Sequence, residues 1–226
     1  MNISVDTKQH DSADLSVMRQ AMVASQLRTN AVSDQRVLVA MNTVPRENFV
    51  PAESRTLAYR DTALPVGGGR AINLPMVIGR LLTEAYLEKG DRVLLIGAAG
   101  GYTAALLAQI VAEVVAVEQD PALAALAREA LAGTPNVTFV EGALPAGHAE
   151  RAPYDVLIVD GAVEHLPDAL IDQIKTGGRV VTGVIEHGVI RLASGRKTEG
   201  GFGLSPFLDC DCVVLPGFAT PQGFKF

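Results

Sequence analysis

Residues 92–108 read "RVLLIGAAGGYTAALLA". Val93–Ile96 is an unbroken aliphatic run that stops at a glycine, the pattern of a strand covered on both faces. Gly97, Gly100 and Gly101 then mark a turn, and a helix is expected from about Tyr102. A strand that feeds a helix through a glycine turn leaves backbone N–H groups free at the helix start, where a ligand can be held. The kind of ligand depends on the spacing. A dinucleotide fingerprint, G-x-G-x-x-G, needs glycine at 99 and 102, and here those positions hold Ala99 and Tyr102.

The pattern continues outward from that turn. "EVVAVE" (113–118) is a second strand followed by the helical "PALAALAREALA" (121–132). "NVTFVE" (136–141) and "YDVLIVD" (154–160) are two more strands, the last followed by a short helix around 167–175. "GGRVVTGVI" and "GVIRLAS" are strands with no helix between them, so an antiparallel addition is expected. This alternation predicts an α/β fold with a doubly wound, mostly parallel sheet, of the Rossmann-like kind. Glu118 ends the second strand, where an acid can accept both hydroxyls of a ribose. With the pyrophosphate pattern broken, S-adenosylmethionine fits the turn better. It carries no phosphate and needs mainly close backbone approach. The alternative is that the glycines only pack helix against strand and Glu118 is a solvated strand end.

Before residue 90 the chain reads differently. Residues 1–11 are expected to be a flexible tail, and 12–226 a single domain. Within it, 12–75 forms a helical layer and substrate loop, and 76–226 the core and C-terminal strands. "SADLSVMRQAMVASQLRT" (12–29) has helical spacing, with Ser12 or Asp14 as a cap. A second helix runs from Ser33 to just before Pro45, and a third from Pro75 to Lys89. The stretch between 45 and 75 is rich in Pro and Gly and long for a connection, which marks a functional or lid-like loop.

Composition limits the classes. Hydrophobic residues are 48% and charged residues 19%, which excludes a disordered chain. A net charge of −6 argues against nucleic acid as a general partner. No apolar run is long enough to span a bilayer and the first residues carry no apolar signal core, so a cytoplasmic location is expected. The two cysteines, Cys210 and Cys212, read as reduced thiols on one face of a strand, and no metal site is recognisable.

The blocks "MVASQLR", "VPRENFVP", "AYRDTALPVGGGRAINLP", "VLLIGAAGGYTAALLA", "VVAVEQDPALAALAREAL" and "APYDVLIVDGAVEHLPDALIDQIKTGGRVV" resemble, in order and spacing, the protein-L-isoaspartate O-methyltransferases. The likeness runs from about Met18 to Gly183. It implies the methyltransferase fold with N-terminal helices, S-adenosylmethionine as cofactor, and isoaspartyl carboxylates of damaged proteins as acceptors. It also implies cofactor contacts from Gly97, Ala98, Ala99, Gly100, Gly101, Glu118, Gln119, Ala143 and Leu144.

The departures from the family pattern cluster in the chemistry-bearing loops. The family's "GQTISQP" is "GRAINLP", which puts Arg70 for Gln, Ala71 for Thr, Asn73 for the active-site Ser and Leu74 for Gln. "EIGTGSG" is "LIGAAGG", with Leu95 for Glu. The "GDG" that reads adenine is Gly142-Ala143-Leu144, and the family's Thr in "VTAA" is Asp160. Arg70 and Asn73 can donate hydrogen bonds to a carboxylate, with Asn73 in the catalytic position. Asp160 is expected at the pocket edge, pairing with Arg70 or repelling an anion, or else capping the helix that follows. Three readings stay open: an isoaspartyl methyltransferase, a methyltransferase with another carboxyl or hydroxyl acceptor, and a non-catalytic relative that binds a partner.

Overall fold

The computed structural model describes residues 14–220. The expected tail and Ser12 lie outside these residues. Helix α1 covers residues 14–22, then widens into a π turn at Val23–Leu27 and tightens into a 3-10 turn at Arg28–Asn30. Met22, Val23 and Leu27 are buried, whereas Met18, on the same expected stripe, is exposed. Helix α2 (Gln35–Thr43) is capped by Asp34, whose side chain accepts from the Arg36 N–H, and it stops before Pro45.

The Pro/Gly stretch is not a bare loop. It folds into 3-10 turns at Arg46–Phe49 and Ala52–Leu57, then a hairpin of β1 (Leu64–Gly67) and β2 (Arg70–Ile72). Gly67, Gly68 and Gly69 make its tip with φ of 96°, 57° and 72°, a left-handed run that only glycine adopts without strain. Helix α3 (Pro75–Glu84) starts on a proline, which needs no N–H partner at that position.

Then the sheet begins. Strand β3 (Arg92–Ile96), helix α4 (Tyr102–Ala108), β4 (Glu113–Glu118), α5 (Pro121–Ala130) and β5 (Val137–Glu141) follow the expected alternation. Next come β6 (Tyr154–Val163), the short α6 (Asp168–Ile171), β7 (Ile174–Glu186), β8 (Val189–Arg196) and β9 (Leu204–Asp209). The seven strands lie in the order β5-β4-β3-β6-β7-β8-β9. The pairs from β5 to β7 are parallel and the last two antiparallel. The helix expected over 167–175 is shorter because β7 already starts at Ile174. Strand β9 has no counterpart in the sequence reading. Cys210 and Cys212 fall just after it, in irregular chain, and both are free thiols.

The strands divide their residues between two cores, as period-two geometry requires. Val93, Leu95, Val114, Ala116, Val156 and Ile158 pack under α1–α5. Leu94, Ile96, Val115, Val117, Leu157 and Val159 face α6 and the segment around Leu215 and Phe218. Each aliphatic side chain buried this way contributes about 1.5–3 kcal/mol. The direction of winding reverses between β3 and β6, so the crevice at their carboxyl ends is the place where such sheets bind ligands. Among the described residues no helix is long and apolar enough to cross a membrane.

Candidate functional site

The turn after β3 holds two kinds of glycine. Gly97 (φ 79°) curls the chain so that the N–H groups of Gly97 and Ala98 both donate to the Val117 carbonyl at the end of β4. A Cβ on Gly97 would press on Leu215. Gly100 is required by packing, and Gly101 (φ 94°) by both conformation and packing. A Cβ at Gly100 would overlap the Phe49 carbonyl oxygen, and one at Gly101 would meet Leu131 and Ala127 of the neighbouring helix region. Ala99, which stands where a dinucleotide fingerprint has glycine, has φ 47°, so this position does use the left-handed region. That costs an L-residue about 1–2 kcal/mol.

Glu118 is fully buried at the end of β4. Its Oε2 accepts from the Ala99 N–H at 2.8 Å, and its Oε1 from the N–H groups of Gln119 (2.9 Å) and Asp120 (3.1 Å). The same Oε2 takes Nη2 of Arg70 at 2.7 Å, and Arg70 is only 6% exposed. Arg70 therefore does not pair with Asp160, and the strand end is not solvated.

On the other side of β3, the register of β6 against β7 shifts between Ile158 and Ala162, and Asp160 stands in that irregular stretch. Its Oδ2 accepts from Thr103 Oγ1 at 2.5 Å and its Oδ1 from Asn73 Nδ2 at 2.8 Å. Asn73 Nδ2 also donates to the Asp160 carbonyl at 3.1 Å. Asn73 Oδ1 accepts from the Val213 N–H (2.8 Å) and Cys212 Sγ (3.3 Å). All hydrogen-bonding positions of the Asn73 amide are thus filled by the protein. Asp160 caps no helix, since α6 opens on Pro167. Burial pushes its carboxyl above the usual range, opposed by the hydrogen bonds from Thr103 and Asn73 and by the Arg46 and Arg70 charges.

Ala71, Asn73, Ala98, Tyr102, Thr103 and Asp160 surround about 230 Å³ of space broken into gaps too narrow for a water molecule. Beyond Arg70 opens a cleft of about 420 Å³, bordered by Gly68, Gln119, Pro121 and Leu215. Ala143 is exposed and Leu144 buried, neither borders this cleft, and the preceding Gly142 N–H donates to the Glu118 carbonyl.

Three residues were missed in the sequence. Thr103, a hydroxyl in the first turn of α4, could have been flagged by its place after the glycine turn. Arg46 had its motif, "VPRENFVP", but was given no role. Its guanidinium is fully buried, donates to the carbonyls of Ala58 (2.8 Å) and Asn73 (2.7 Å), and lies 4.9 Å from the Tyr102 ring centroid. Leu215 left no local signal, because its contact with Gly97 depends on where the C-terminal segment docks.

The family described as Protein-L-isoaspartate(D-aspartate) O-methyltransferase matches residues 18–213. The chain is 42% identical over 207 residues to the protein-L-isoaspartate O-methyltransferase of Methanoculleus marisnigri, covering 91% of this chain and 94% of that one. It is 38% identical over 209 residues to the enzyme of that name from Koribacter versatilis, covering 92% and 94%. A solved protein-L-isoaspartate O-methyltransferase superposes with a TM-score of 0.76 at 26% identity, over 88% of this chain and 66% of that one. A Plasmodium falciparum structure, of a protein assigned to the same activity and holding S-adenosyl-L-homocysteine, shares the fold with a TM-score of 0.72 at 17% identity, over 87% and 97%. Sequence match, fold and the crevice between β3 and β6 agree, and the chain belongs to the protein-L-isoaspartate(D-aspartate) O-methyltransferase family.

Proposed function

We propose that the chain methylates isoaspartyl carboxylates of damaged proteins and peptides in the cytoplasm, with S-adenosylmethionine as methyl donor. The observation that carries this is Glu118, a buried carboxylate at the carboxyl end of β4 whose two oxygens are oriented by three backbone N–H groups. The donor set suits the cofactor. Once Arg70 moves aside, Glu118 offers acceptors for two ribose hydroxyls, and the cleft beside Gln119 is within the usual size of ligand sites. Gly97, Ala98 and Ala99 would give the close backbone approach, and the backbone of Ala143 and Leu144 the polar contacts that an acid supplies in the family pattern. When bound, the cofactor supplies a methyl group on a cationic sulfur. The free thiols Cys210 and Cys212 fit a reducing compartment.

The acceptor needs no general base, because a carboxylate is already ionised near neutral pH. It needs alignment and removal of water. The acceptor wall is the Asn73–Asp160–Thr103 cluster. Asn73 acts there as a positioning residue, holding Asp160 and the Val213 backbone, and is itself held through its carbonyl by Arg46. Burial raises the Asp160 carboxyl, against the hydrogen bonds from Thr103 and Asn73. The narrowness of the space at the glycine turn favours a second reading, a relative that keeps the fold without transfer. Labelled methyl transfer to an isoaspartyl peptide and its aspartyl control separates them. Label on the isoaspartyl peptide alone is expected; label on neither, with cofactor bound, would contradict the proposal.

A further inference from the structure

We infer that Arg70 is a latch on the cofactor carboxylate: its guanidinium occupies Glu118 until the ribose hydroxyls displace it. This rests on the reading of Glu118 as the ribose-binding acid. Five observations carry it.

Arg70 takes Oε2 of Glu118 at 2.7 Å, an oxygen that a ribose hydroxyl would need. The pair is buried yet incompletely satisfied, since Nε and Nη1 of Arg70 have no partner among the described residues. A buried ion pair with orphan donors gains little over its desolvation cost, so it can be exchanged. Glu118 does not depend on Arg70 for its place, because its backbone donors come from Ala99, Gln119 and Asp120. Finally, Arg70 is carried by a hairpin whose tip is three left-handed glycines, and a Cβ on the middle one, Gly68, would meet the Asp120 carboxylate. Leu64, Val66 and Ile72 anchor the body of the hairpin in the core, so the movement is confined to the glycine tip and the Arg70 side chain. Arg70 borders the open cleft, while Glu118 lies fully buried and is hydrogen-bonded to it, so Arg70 stands between the cleft and the carboxylate.

Displacement frees a guanidinium that then needs an anion. The acceptor wall begins three residues along the same chain, at Asn73, so an incoming substrate carboxylate can take it. Cofactor would therefore bind first and acceptor second.

The test is association and dissociation of S-adenosylhomocysteine on the full chain by surface plasmon resonance, for wild type, Arg70→Gln and Gly68→Ala. A latch closed nine-tenths of the time lowers apparent affinity about tenfold, so Arg70→Gln is expected to bind about tenfold tighter. The gain should come from faster association, with dissociation little changed. Gly68→Ala keeps both partners but strains the hairpin tip, with a left-handed φ and its methyl against the Asp120 carboxylate, and should speed association in the same direction. It also answers the question if Arg70→Gln does not fold. A purely structural Arg70 would not accelerate association when removed. Equal or slower association in the folded variants, with wild type binding, overturns the latch and leaves the cofactor reading standing. No binding by any of them at millimolar ligand overturns both.

Discussion

Two buried carboxylates flank β3, and they are kept in opposite ways. Glu118, on the β4 side, meets a guanidinium and three backbone N–H groups. Asp160, on the β6 side, meets a hydroxyl and an amide, with no guanidinium in hydrogen-bond contact. One acid is held by a charged partner and backbone donors, the other by neutral side-chain donors, and burial raises the second. On the proposed function, the first faces the donor ribose and the second the acceptor.

The largest effect expected from breaking this contrast is at Glu118. Glu118→Gln leaves the Arg70 guanidinium buried without its counter-charge, which should cost about 3–5 kcal/mol in urea unfolding. A loss near zero would show that the ion pair does not hold the hairpin. The turn between the two acids comes next. Gly100→Ala drives a methyl group into the Phe49 carbonyl, and about 1–3 kcal/mol should be lost, since overpacking forces the backbone to shift.

Asp160 gives a pH signature. Its folded carboxyl is raised above its ordinary value of 3.8, so the folded state binds the proton more tightly than the unfolded one. The contribution is fully present below that unfolded value and is lost as pH rises through the window up to the folded one. Each pH unit of separation is worth about 1.4 kcal/mol. Asp160→Asn removes the group, so the variant should gain stability relative to wild type as pH rises across that window. Urea melts of both proteins from about pH 4 to about pH 8 check this, and a constant difference would reject the burial argument. The smallest effect is at Ala99. Ala99→Gly relieves a left-handed alanine but loosens the unfolded chain, and the two nearly cancel, leaving a change under about 1 kcal/mol in thermal melts.

The parts of this contrast that were legible in the sequence are the local ones. Continuous aliphatic runs marked β3, β4 and β6, and Glu118 was visible because strand ends in this topology face the crevice. The partners of the acids were not legible. Arg70 stands 48 positions from Glu118 in the chain and Asn73 stands 87 from Asp160, so their pairing is decided by how the hairpin docks. The hairpin itself left a readable sign, "LPVGGGRAI", alternating residues around a glycine tip, which was taken for a long loop. Strand β9 and the truncation of α6 follow from sheet extension by β7 and β8, where tertiary pairing overrides local propensity.

The most direct test of the division between the two acids is calorimetric titration of S-adenosylhomocysteine into wild type, Glu118→Gln and Asp160→Asn. Truncating a hydrogen-bonded contact of this kind costs about 1–3 kcal/mol, so Glu118→Gln should bind roughly 5- to 150-fold more weakly. Asp160→Asn should bind as wild type does, its effect confined to methyl transfer. Equal weakening in both variants, or none at Glu118, would contradict a donor side and an acceptor side divided by β3.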